Sequence, residues 1–122
     1  MQAAIIPADR TQPIRFEEIT PDLETLQSLA GGDIQLVGLR PYSMNMYLNE
    51  NGKLEALPAN PRATVLCHWS EAIRADDFIC GDAIILGPID DDGEETGLRD
   101  VQVDWLRRFE AENSAPAATE QQ

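Results

Sequence analysis

Apolar residues recur along this chain in two rhythms, and the places where the rhythm changes mark its elements. Ala3-Ala4-Ile5-Ile6 is a short apolar run that reads as a first strand, stopped by Pro7. Ile14-Arg15-Phe16-Glu17-Glu18-Ile19 alternates apolar and polar residues, the pattern of a half-buried strand. Thr20 then stands as the N-cap of a helix with Pro21 at its first position, where a missing N–H costs nothing. Asp22 and Glu24 suit the positive end of the helix dipole. Leu23, Leu26, Leu29 and Ala30 fall on one buried face, and Gly31-Gly32 ends the helix.

Ile34 to Arg40 reads as a strand with Ile34 and Leu36 on one face, and Met44 to Leu48 as another with Met44, Met46 and Leu48 on one side. Asn49-Glu50-Asn51-Gly52 is a turn, and Lys53 to Leu57 is expected to return antiparallel to Met44–Leu48 as the second arm of a hairpin. Asn60 as N-cap with Pro61 after it opens a second helix, expected to reach about Ile73. Ala63, Leu66 and Cys67 share its inner face. The apolar second half of Phe78–Gly87 reads as a buried strand, and Asp90 to Glu95 as a solvated loop. Leu98, Val101, Trp105 and Phe109 recur at helical spacing, which predicts a third helix over 98–109.

These elements define an α+β fold, a small, mainly antiparallel sheet of about four to six strands packed against two or three helices. Residues 1–110 are expected to form one domain and residues 111–122 a disordered acidic and polar tail. The expected core is Leu26, Leu29, Ile34, Leu36, Val65, Leu66, Ile84, Leu86, Leu98, Val101 and Trp105.

Charge changes this picture most. The chain has 22 acidic and 9 basic residues, a net of −13, and −7 of that lies in residues 90–122. Such a chain is repelled by phosphate backbones and by anionic membranes, so direct nucleic-acid or membrane binding is not expected. No run of the chain nears the roughly 18 apolar residues that a membrane span needs. The first residues also lack the basic region of a secretory signal, so the expected setting is the cytoplasm of a bacterium or of a phage-infected cell. There Cys67 and Cys80 are small buried hydrophobes rather than a disulfide.

Cofactor and metal chemistry finds little footing. Cys67, His68 and Cys80 are zinc-type ligands without a fourth, and Cys67 and His68 are helix neighbours that point apart. Setting Gly93 at the sixth position of an EF-hand register puts Pro88 first and Arg99 twelfth, where a Glu belongs. Setting Gly52 there puts Tyr47 first and Pro58 twelfth, which fails as well. No cofactor is expected. Cys67 and His68 lie in no catalytic signature, and Gly31-Gly32 ends a helix rather than opening one around a phosphate.

Four short stretches carry a resemblance. They are Leu26-Gln27 with Gly31-Gly32-Asp33-Ile34, the Asn-Glu-x-Gly-Lys segment Asn49–Lys53, the Leu-Pro-x-Asn-x-x-Ala-Thr segment Leu57–Thr64, and the run Gly81–Gly87. Together they resemble the domain of unknown function 3846 family over about Ile19 to Gly97. The resemblance implies a small intracellular domain of bacteria, often encoded by phages or mobile elements, with no agreed activity and no catalytic residues to carry over. It places the acidic loop and third helix at or beyond the family's edge. The shared residues are also plain stop, turn and cap signals.

The expectation for function is an accessory protein of phage or mobile-element origin that binds a protein partner through an acidic surface. Asp90, Asp91, Asp92, Glu94, Glu95, Asp100 and Asp104 are the candidate contact residues, with the chain a monomer or small homo-oligomer. One specific form is a DNA mimic, whose carboxylates stand in for phosphates on a rigid surface. The bland reading of the same charge is solubility. The alternative from another class is a small enzyme or ligand-binding domain with a pocket near Arg40, Tyr42, His68 and Trp69. Nothing in the residues favours catalysis over binding.

Overall fold

Ala83-Ile84-Ile85-Leu86 has no polar face, and a strand of that kind belongs inside a sheet covered on both sides. The computed structural model, which describes residues 1–113, puts it in the middle. The strands are β1 (Gln2–Ile6), β2 (Arg15–Glu18), β3 (Ile34–Leu39), β4 (Met44–Asn49) and β5 (Ala83–Leu86). They form one antiparallel sheet in the order β2-β1-β5-β4-β3. Helix α1 (Leu23–Ala30) follows β2, α2 (Pro61–Trp69) precedes β5, and α3 (Asp100–Asn113) follows it. This is a small α+β fold.

The period-2 alternation of β4 sorts the two faces. Met44, Met46 and Leu48 point to one side, where they meet Ala63, Leu66 and Cys67 of α2 and Leu106 and Phe109 of α3. Tyr47 points to the other, where Ala3, Ile5, Ile84 and Leu86 pack under Leu26 and Ala30 of α1. Two helices thus cover one face and a single short helix covers the other.

Several expectations change on this frame. Lys53–Leu57 does not return along β4, because both edges of β4 are already taken by β3 and β5. The segment coils into successive turns instead, with the Glu55 amide donating to the Asn51 carbonyl (2.9 Å) and the Leu57 amide to that of Gly52 (2.9 Å). The Asn-Gly pair makes no hairpin turn here. Gly52 is required because a Cβ would stand 2.8 Å from the Cys80 carbonyl oxygen. The hairpin that forms joins β3 to β4 through a 3-10 turn over Arg40–Tyr42.

Leu36 is 46% exposed and Val101 65% exposed, so neither belongs to the core. β3 is an edge strand whose buried residues, Val37 and Leu39, face α2 and α3. α3 starts at Asp100, after Leu98, and its buried stripe runs through Gln102, Leu106 and Phe109, one residue out of phase with Val101. Leu29, Ile34, Val65 and Trp105 are only half-buried against the two clusters. The cap of α1 is Asp22 rather than Thr20, its carboxylate accepting from the Thr25 amide at 2.8 Å, which leaves Leu23 at the exposed first position. α2 stops at Trp69, short of Ile73. α3 continues through Asn113, so its last turn enters the segment expected as tail, and the rest of that segment lies outside the described residues.

Two polar side chains in the first turn of α2 are fully buried. Asn60 accepts from the Ala63 amide (3.0 Å) as the helix cap, and its amide nitrogen donates to the carbonyls of Ile6 and Gly81, each at 2.9 Å. Arg62, 1% exposed, donates from Nη2 to the carbonyls of Pro7 (2.9 Å) and Gln12 (2.8 Å). Its Nη1 lies 3.5 Å from the Glu110 carboxylate, which itself accepts from the Ile14 amide at 2.5 Å.

Asn60→Ala should cost about 2–4 kcal/mol, a lost cap together with two buried carbonyls left without donors. Arg62→Ala should cost about 3–5 kcal/mol, because the Glu110 carboxylate is left without its cation. Urea denaturation followed by far-UV circular dichroism measures both, and losses under about 1 kcal/mol would remove these residues from the framework. The Thr25 hydroxyl and amide hold the Asp22 carboxyl below its ordinary value of 3.8. Its contribution is therefore complete above that value and fades as pH falls through the depressed one. The stability gap between wild type and Asp22→Ala should close on acidification below pH 3.8, and a gap constant with pH would show that the carboxylate is not the cap.

Candidate functional site

The acidic segment after β5 is exposed yet folded on itself. The Gly87 amide donates to the Thr96 carbonyl (2.9 Å), and the Asp90 amide to that of Glu94 (2.9 Å), closing the two arms of the loop. At its tip the Asp90 carboxylate accepts from the amides of Asp92 and Glu94, both at 2.9 Å, and Gly93 takes a left-handed φ of 81°. Glu95 turns inward, its carboxylate accepting a hydrogen bond from the Tyr47 hydroxyl. Burial, and then the bond and the negative charge of Glu95, push the Tyr47 phenol well above its ordinary value, so it stays a donor. Asp91, Asp92 and Glu94 are exposed, and among the described residues their carboxylates make no hydrogen bond or ion pair.

The seven candidate acids therefore divide by use and by place. Asp90 and Glu95 are spent on the loop's own structure, while Asp91, Asp92 and Glu94 project from it. Through Glu95 the loop approaches the α1 side of the sheet, where Tyr47 is buried. Asp100 and Asp104 are exposed on α3, which packs on the opposite side, among the exposed Arg99, Arg107 and Arg108. Five of the seven thus sit on the loop and two on α3.

Arg40 and Tyr42 line two different cavities of the described residues, and His68 and Trp69 line neither of those two. Tyr42 and Trp69 both meet Trp105, at ring-centroid distances of 4.6 and 6.4 Å, and Trp105 stacks on Phe109 at 5.9 Å. The i, i+4 spacing of Trp105 and Phe109 was visible in the sequence; their partners from the 3-10 turn and from α2 were not. His68 turns away, its Nε2 at 2.9 Å from the Asp77 carbonyl oxygen. Arg40 lines a broad open groove beside β3 with Arg74 and Asp77. A separate cleft of about 320 Å³ opens between Tyr42, Val101 and Trp105, with Arg99 and Arg108 at its rim. Neither arginine belongs to an ion pair among the described residues. Gln102 forms its buried support, donating to the Ser43 carbonyl at 2.8 Å.

Lys53, the only lysine, binds the Asp77 carboxylate, with its ammonium 4.8 Å from the centre of the Phe78 ring. It lines a pocket of about 370 Å³ with Asn51 and Cys80. Cys67 is fully buried, 3.6 Å from the Met46 sulfur, and burial pushes its thiol up to about 12. A thiol so placed is inert at neutral pH. Among the described residues no three His, Cys, Asp or Glu side chains gather in a group fit for a metal ion, and no helix is long and apolar enough to cross a membrane.

No curated protein and no solved structure matches the chain. One family model does, described as Domain of unknown function (DUF3846), over residues 1–110. That span corrects the narrower one drawn from the four motifs: it begins at β1 and takes in the acidic loop and most of α3, which are thus part of the family's domain. The chain belongs to the DUF3846 family.

Proposed function

We propose that this domain is a protein-binding accessory factor that engages a basic surface of its partner through the carboxylates of Asp91, Asp92 and Glu94. The setting is the phage or mobile-element one that the family resemblance implies. What supports this reading is the loop itself: acids held in a hydrogen-bonded frame, with three carboxylates left unpaired among the described residues. A solubilising charge needs no such frame. Carboxylates displayed on a preformed loop steer a basic partner and lose little entropy when it docks. Asp100 and Asp104, on the other side of the sheet and among arginines, are outside this contact. The DNA mimic is its specific form, in which the partner surface is a DNA-binding groove.

Affinity capture from the host cell with the tagged protein, followed by mass spectrometry, identifies the partner. The triple variant D91N/D92N/E94Q should bind it about tenfold more weakly or worse, with an unchanged circular-dichroism spectrum. Undiminished binding would sink the reading. For a DNA mimic, the wild-type protein displaces DNA from the captured partner, and added salt weakens the competition.

A ligand-binding reading is supported by one observation, the aromatic cleft of Tyr42 and Trp105 with two arginines at its rim that are unpaired among the described residues. Anilinonaphthalene sulfonate, an anionic aromatic probe, should then quench Trp105 emission in a Trp69→Phe protein. Emission that does not change, or quenching that survives Arg99→Ala/Arg108→Ala, counts against it.

A further inference from the structure

The two edges of the sheet have opposite chemistry. β2, Arg15-Phe16-Glu17-Glu18, carries a charge at every position but Phe16, which is how an exposed edge is kept from pairing with another chain. β3, Ile34-Gln35-Leu36-Val37-Gly38-Leu39, has no charged residue and no proline across six positions. Its hydrogen-bonding parity is set by the Glu50 amide, which donates to the Asp33 carbonyl at 2.7 Å. Residues 33, 35, 37 and 39 therefore bond toward β4, and Ile34, Leu36 and Gly38 turn their amides and carbonyls outward. Among the described residues none of these outward groups has a backbone partner beyond the sheet. Leu36, at the middle of the strand, is 46% exposed, and Ile89, which lines the groove beside it, is 41% exposed. One acid and one base, Asp33 and Arg40, flank the strand, and both are exposed.

We infer that β3 pairs antiparallel with β3 of a second copy about a twofold axis at Leu36, joining two sheets into one. The strand is complementary to itself in three respects. Its outward groups at Ile34, Leu36 and Gly38 match those of the second copy in this register, Leu36 bonding to Leu36 and Ile34 to Gly38. The exposed Leu36 side chains meet across the axis on the α1 side, and Gly38 leaves room for the Ile34 side chain opposite it. Arg40 of each copy comes opposite Gly32 of the other, diagonal to Asp33, so the ends carry opposite charges while the middle carries none. These matches come from the strand's own residues, bulky Ile34 against Gly38 and Leu36 against itself, which makes a second copy the occupant that fits it.

Sedimentation velocity over a concentration series tests this on the full chain. The wild type should sediment as a dimer in reversible equilibrium with monomer. Leu36→Lys, which sets two ammonium groups against each other at the axis, should be monomeric with an unchanged circular-dichroism spectrum. Asp33→Arg and Arg40→Asp should each weaken association about tenfold, and the double exchange D33R/R40D should restore it, a rescue that a merely structural defect does not give. A wild-type monomer at every concentration overturns the inference and leaves the edge to a strand of another protein. A dimer that Leu36→Lys leaves intact overturns it too, because the copies then meet elsewhere.

Discussion

Asn60 and Arg62 are as inaccessible to water as the leucines around them, and the arrangement of the protein turns on their bonds. Asn60 holds the last carbonyl of β1, the Gly81 carbonyl just before β5 and the first turn of α2 together through one side chain. Those segments are distant in sequence, and a backbone bridge between Ala59 and Cys80, with the Asn60 amide donating to the Ile79 carbonyl at 2.7 Å, completes the link. The seat of α2 over the sheet, and with it the burial of Ala63, Leu66 and Cys67, depends on this link. Arg62 extends the tie by collecting carbonyls of the loop between β1 and β2 and facing Glu110 near the end of α3. Desolvation pulls its pKa down and Glu110 supports it, so it remains a cation. Among the described residues its Nε and Nη1 make no hydrogen bond, so the cost of burying this cation is only partly offset.

The stretches on which the family resemblance rests are largely the ones that make these ties. Gly31 and Gly32 both donate to the Gln27 carbonyl and end α1. Thr64 accepts from the Ile79 amide and donates to the Asn60 carbonyl, so the Leu57–Thr64 segment fastens the chain before β5 to α2. Gly81 takes a φ of 89°, and Asp82 accepts from the Ala8 amide at 2.9 Å. In this chain those residues build the scaffold. The surfaces that the scaffold exposes are the folded acidic loop, the aromatic cleft and the neutral edge strand.

Much of that scaffold was legible. The alternation of Met44, Met46 and Leu48, the apolar Ala83–Leu86, the Gly31 stop and the Asn60-Pro61 start each report on residues a few positions apart. The acidic loop was legible as exposed but not as folded, since its closure needs the Tyr47 hydroxyl from β4. Leu36 and Val101 misled for one reason: periodicity tells which residues share a face and not whether anything covers it. β3 lies at the sheet edge, and the side of α3 bearing Val101 meets solvent.

By itself the sequence determined the kind of fold, the bounds of most elements and the acid-rich stretch, because backbone preference, caps and apolar rhythm act between near neighbours in the chain. Tertiary structure alone decided the partner of β4, since β5 arrives from more than thirty residues away to occupy the edge that Lys53–Leu57 was expected to take. It decided too that an arginine would lie at the centre of a polar junction and a leucine on the surface. Burial is settled by what packs against a side chain, and for Arg62 and Leu36 those neighbours are set by the fold as a whole.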